Sequence, residues 1–139
     1  MLHGTVLAVE KVTDPAEREE MKILIVDDNQ ELAWAIQLML ENEGFEVRSA
    51  KDGQDGYWAF LEFKPDLVIT DIQMPGGNGL ELMEDIRTLN PTVRTIYMSG
   101  DLNSFWSPLE EEKKRYPVSL LEKPFSKGEL MGLVSGMAA

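Results

Sequence analysis

The 139-residue sequence predicts an α/β fold: an open, doubly wound, five-stranded parallel sheet with helices on both faces. Three observations carry this. From residue 21 onward, short apolar runs alternate with stretches of helical periodicity, the pattern of repeated strand–helix units. Two of the runs, residues 21–26 and 66–70, lack polar alternation, as strands covered on both faces do. The strands also end on polar residues, Asp27 and Asp28, Asp71, Ser99 and Lys123, where open parallel sheets bind their ligands.

The elements follow in order. The first strand stops at Asp27-Asp28, and a helix with Leu32, Ala35, Ile36, Met39 and Leu40 on its core stripe closes at Gly44. Residues 45–49 alternate, as a more exposed strand would. Asp52-Gly53 turns into a second helix ending before Pro65, and the strand after it delivers Asp71 at its carboxyl end. Residues 75–79, Pro-Gly-Gly-Asn-Gly, read as a loop. The third helix places Leu80, Met83, Ile86 and Leu89 on one face and stops at Pro91. A fourth strand spans 93–98, a fifth 118–122, and the last helix opens with a capping box of Ser126 and Glu129.

Composition narrows the chemistry. There is no cysteine, so disulfides, thiol catalysis and thiolate metal sites are excluded, and the single histidine, His3, leaves no base for a Ser-His-Asp triad. A net charge of −12 repels nucleic acid and anionic membrane. No apolar run approaches a membrane span, and the run at 6–9 is too short for a signal-peptide core, so a cytoplasmic location is expected.

Three carboxylates converging at strand ends repel by about 4 kcal/mol per pair at 4 Å and an effective dielectric near 20. Something positive must offset this. Lys123 is one candidate and a divalent cation such as Mg²⁺, which takes oxygen ligands, is the better one. Lysine and a serine hydroxyl suit phosphoryl oxygens, so the set is complete for phosphoryl transfer. The nucleophile is then a carboxylate, because no residue stands ready to activate Ser99.

With these residues in place the chain from 22 to about 134, four-fifths of its length, resembles the response-regulator receiver domain of two-component systems. Asp27-Asp28 look like that family's acidic pair, and Asp71 looks like its phospho-acceptor. Gly79 looks like the glycine after the acceptor loop, Ser99-Gly100 like the hydroxyl position, and Lys123-Pro124-Phe125 like the lysine followed by a cis proline. The resemblance implies a flavodoxin-like sheet of order 2-1-3-4-5. It implies that Asp28, Asp71 and the backbone carbonyl of Gln73 hold Mg²⁺, with Asp27 acting through a metal-bound water. Ser99 and Lys123 would bind phosphoryl oxygens, and the donor would be a phosphohistidine on a sensor histidine kinase or histidine phosphotransfer protein. On this reading residues 21–139 are a receiver domain and residues 1–20 an extension of unknown role, in which 5–10 look like a faint copy of the first strand and Asp14-Pro15 like a helix start. The protein would be a phospho-accepting switch with slow self-dephosphorylation, not a metabolic enzyme. Whether it is a single-domain regulator or part of a larger one, and whether it forms a homodimer, stay open.

The sequence departs from the family in places. Three residues before the lysine, where the family usually has Tyr or Phe, stands Leu120, which puts the usual output movement in doubt. A helix is expected to start at Pro108, with Glu110–Lys114 and Glu111–Arg115 pairs on a solvated face. Phe105 and Trp106 either plug the core or meet a partner. Gly128, Gly132 and Gly136 predict a short, marginal last helix in preference to a close-packing face for a partner. Trp34 and Leu38 lie opposite the core stripe of the first helix, the helix through which the family partly docks its phosphodonor. Two rivals remain: a pseudo-receiver that binds partners without phosphorylation, and a Mg²⁺-dependent aspartyl phosphatase, disfavoured because Gln73 stands where a second Asp is expected.

Overall fold

The computed structural model describes residues 21–138, so the expectations for residues 1–20 lie outside the described residues. Strands β1 (Lys22–Val26), β2 (Glu46–Ala50), β3 (Leu67–Asp71), β4 (Arg94–Ser99) and β5 (Val118–Glu122) form one sheet of order β2-β1-β3-β4-β5, every pair parallel. Helices α1 (Gln30–Asn42), α2 (Gly53–Phe63), α3 (Gly79–Leu89), α4 (Trp106–Arg115) and α5 (Lys127–Ala138) connect and cover it. The expected fold and strand order both hold.

Two apolar layers sandwich the sheet. Because successive strand residues face opposite ways, Ile23, Ile25, Leu67, Ile69, Ile96 and Met98 pack against α1 and α5. Leu24, Val26, Val68 and Tyr97 face α2, α3 and α4. The inner strands are covered on both sides, as their unbroken apolar runs predict, whereas β2 at the edge exposes Glu46, Ser49 and Arg48.

Four of the five helix starts carry a side chain that accepts from a free N–H group, α4 being the exception. Asn29 accepts from Leu32, Asp52 from Asp55, and Asn78 forms a capping box with Glu81. The box of Ser126 and Glu129 forms with both hydrogen bonds at 3.0 Å. Lys64 closes α2 in the left-handed region at φ 53°.

Several expectations need correction. The loop at 75–79 closes a small hairpin, Gln73–Met74 against Gly77–Asn78, with Gly76 and Gly77 at φ 79° and 152°. Leu89 is 52% exposed, and the buried face of α3 runs instead through Leu82, Met83, Ile86 and Arg87. A 3₁₀ turn occupies Leu102–Phe105, and α4 begins at Trp106, two residues before Pro108; the proline still falls in the first turn, where no N–H partner is required. The ion pairs on α4 are i,i+3, Glu110–Lys113 and Glu111–Lys114, not i,i+4. The last helix runs twelve residues and is not short. A Cβ at Gly132 or Gly136 would meet nothing within 4 Å, so these glycines pack against no other part of the described residues.

Candidate functional site

β1 and β3 end side by side, with Val26 opposite Thr70, so Asp27 and Asp71 emerge together from the carboxyl edge. Asp28 follows Asp27 and is exposed, whereas Asp27 is fully buried and Asp71 nearly so. Ligand oxygens of the three carboxylates all lie within 4.8 Å of one another. Asp27 is oriented from two sides: one oxygen accepts the Asn29 backbone N–H at 2.9 Å, the other accepts from Lys123 Nζ at 3.0 Å. Lys123 Nζ also lies 3.4 Å from Asp71 Oδ1, so one ammonium bridges the buried pair.

The strand register brings in the remaining groups. Asp71 pairs with Met98, which places Ser99 one residue further along β4. Ser99 is buried; its Oγ accepts the Asp101 N–H at 2.9 Å and its carbonyl accepts the Lys123 N–H at 2.9 Å. The Lys123-Pro124 peptide is cis, as expected. Gly79 donates its N–H to the Ile72 carbonyl at 2.8 Å, and a Cβ there would strike the backbone oxygen of Asp71 and the Thr70 side chain. A side chain at this position has no room because the loop after Asp71 folds back onto the strand that carries it. Gln73 is exposed in the small hairpin, two residues past Asp71.

Burial pushes the Asp71 carboxyl above its ordinary range; Lys123 pulls it back, and Asp27 and Asp28 push it up further. Three carboxylates share this one ammonium, so the ionised cluster carries surplus negative charge. An all-oxygen donor set with surplus negative charge fits a hard divalent cation such as Mg²⁺.

Residues 23–135 match the response regulator receiver domain family. The chain belongs to that family. The transcriptional regulatory protein RprY of Bacteroides fragilis is 29% identical over 112 residues, covering 81% of this chain and 47% of that protein. This receiver domain thus spans about half the length of that curated relative. Among solved structures, a response regulator receiver domain protein of Clostridium thermocellum is 28% identical with a TM-score of 0.74, covering 85% of this chain and 94% of that one. The receiver domain of the Francisella response regulator 1452 is also 28% identical with a TM-score of 0.74, covering 86% and 97%. The chemotaxis protein CheY4 of Vibrio cholerae, 23% identical over 84% of this chain and 98% of that one, shares the fold with a TM-score of 0.76.

A second polar cluster lies beneath α4. Arg87 is buried under α4, where Nη1 donates to Glu112 Oε1 at 2.5 Å and Nη2 to Thr95 Oγ1 at 3.0 Å. The Tyr97 hydroxyl donates to the same Glu112 oxygen at 2.5 Å, and the Tyr116 ring lies 4.1 Å from the guanidinium carbon. In the sequence, the run of charges around Glu112 hides this one inward position. The usable signal was Thr95 and Tyr97, which put polar atoms into an otherwise apolar inner strand.

Proposed function

We propose that this receiver domain accepts a phosphoryl group from a partner phosphohistidine onto Asp71 and changes conformation to pass on a signal. The observation that supports it best is the buried Asp27–Lys123–Asp71 bridge beside Asp28, at the carboxyl edge of the sheet. Asp28, Asp71 and the Gln73 backbone carbonyl would hold Mg²⁺, with Asp27 acting through a water. When bound, the ion neutralises the carboxylates and polarises the incoming phosphoryl group.

The chain's own groups do the rest. An Asp71 oxygen attacks phosphorus while the donor imidazole departs, and the new acyl phosphate stays on Asp71 until water hydrolyses it. Lys123 supplies a cation to a phosphoryl oxygen, exchanging its contact with Asp71 for one with the product. The Ser99 hydroxyl donates to another oxygen. The barrier falls through positioning and charge neutralisation, so a small set of groups suffices. The donor would be a histidine kinase or a phosphotransfer protein, met in the cytoplasm, and Trp34 at 60% exposed and Leu38 at 40% on α1 offer it an apolar contact. Among the described residues no helix is long and apolar enough to cross a membrane.

The test is incubation with acetyl phosphate and Mg²⁺ followed by intact mass. Gain of one phosphoryl group that Asp71→Asn abolishes is the expected result. No gain in the wild type would overturn it and favour a pseudo-receiver that works by binding alone.

A further inference from the structure

From Gly100 to Pro108 no residue is buried, although this segment starts directly after the buried Ser99. The 3₁₀ turn Leu102–Phe105 contributes none, and the first turn of α4 has no side-chain cap and contains a proline. Beyond it the picture reverses. Leu109 is fully buried, and Glu112 accepts from both Arg87 and Tyr97 through one oxygen. Arg87 is 6% exposed, and Tyr116 at the end of α4 stacks on its guanidinium. Leu109 is the one buried residue of α4, so this polar cluster carries much of the helix's attachment.

Tyr97 also sits beside Leu120 in the sheet register, both facing the layer beneath α4. The ring that β5 lacks is therefore supplied by β4, but its hydroxyl is held. Burial and the neighbouring Glu112 carboxylate raise the Tyr97 pKa, so the hydroxyl keeps its proton and remains a donor.

We propose that Arg87, Glu112 and Tyr97 are a buried anchor that holds the C-terminal half of α4 in both signalling states, so that phosphorylation moves only residues 100–108, which swing about it. The proposal rests on Asp71 being the acceptor and names how that site is read out. A phosphoryl group can drive a change only by what it gains between the two states. Ser99 turning toward it adds one charge-assisted hydrogen bond and releases the Asp101 N–H. Separating Glu112 from a buried arginine and a buried phenol costs more than one such bond returns, because each group would be left desolvated and unpaired. Displacing residues 100–108 uncovers no fully buried side chain, only the partly buried Leu102 and Phe105. The motion takes the second course, and Trp106, 49% exposed at the start of α4, lies within the moving part.

The experiment is residue-resolved amide exchange on the whole chain, with and without beryllofluoride and Mg²⁺. In the wild type, exchange should change in 101–108 and stay constant in 110–116, including the Tyr116 amide that donates to the Glu112 carbonyl. In Glu112→Gln and in the milder Tyr97→Phe, beryllofluoride should now also alter 110–116, by about tenfold or more in rate. Faster exchange in 110–116 of the wild type on adding beryllofluoride would overturn the anchor, as would variants that keep the confined pattern. If beryllofluoride alters no amide, even next to Asp71, the acceptor assignment itself falls, and the anchor with it.

Discussion

Asp71, the proposed acceptor, is costly for folding. Its carboxyl is held above the ordinary range chiefly by burial, so the folded chain binds that proton more tightly than the unfolded chain does. The stability this gives is fully present below the unfolded value of about 3.9 and is lost as pH rises through the raised folded value. Asp71→Asn should therefore raise Tm at neutral pH without Mg²⁺, and the gain should shrink as pH falls toward the ordinary carboxylate range. Calorimetry across that range checks this, and a neutral-pH Tm below wild type would contradict it. Gly79 obeys a different constraint. Gly79→Ala must move the backbone oxygen of Asp71, which cannot rotate aside as a side chain can, so about 1–3 kcal/mol should be lost in urea unfolding. Phosphorylation from acetyl phosphate should slow as well, because the acceptor shifts. The convergence of Asp27, Asp28, Asp71, Ser99 and Lys123 was legible in the sequence because they stand at strand ends, and a strand end is easy to read. Arg87 was not, since on α3 it stands one position past Ile86 and only the three-dimensional packing shows that its stem runs inward.

At the scale of elements, legibility follows how many residues vote on each one. β1 and β3 were read from unbroken apolar runs, and α2 from Asp52-Gly53 at its start and Pro65 beyond its end. On α3 the expected stripe errs only at Leu89, which fits a helical spacing as well as Leu82 does, and periodicity alone cannot choose between overlapping stripes. α4 is the extreme case, with one buried apolar residue among ten, so its inward face could not be found by hydropathy. That poverty makes a prediction. Leu109→Ala should cost about 2–5 kcal/mol and loosen the whole helix, which the loss of amide protection in 106–115 would register. Lys113→Ala and Lys114→Ala remove exposed pairs of 3.9 and 3.3 Å and should each change stability by less than about 1 kcal/mol. Comparable losses from all three would mean that α4 is held by its surface charges and not by its buried side.

Across the whole molecule, the net charge of −12 and the topology act on the same place. Parallel strands gather their carboxyl ends at one edge, and three of the acids meet there with Lys123 bridging only two of them. Apo protein thus carries repulsion that a bound divalent ion would relieve, and an ion that binds the folded chain alone must stabilise it. At about 100 times its dissociation constant, Mg²⁺ should add roughly 2.7 kcal/mol, or about 10 °C in Tm for a chain of this size. General screening of a strongly acidic protein would also raise Tm, so the comparison must be made at constant ionic strength with NaCl as the counterpart. Asp28→Ala separates the two causes. It removes one of three converging charges, so without Mg²⁺ the variant should be at least as stable as wild type, because Asp28 is exposed and its carboxylate faces two others. With Mg²⁺ the variant should gain much less than wild type. Equal Mg²⁺ increments in the two proteins would mean that the ion acts on the overall field, and that the three carboxylates do not form its site.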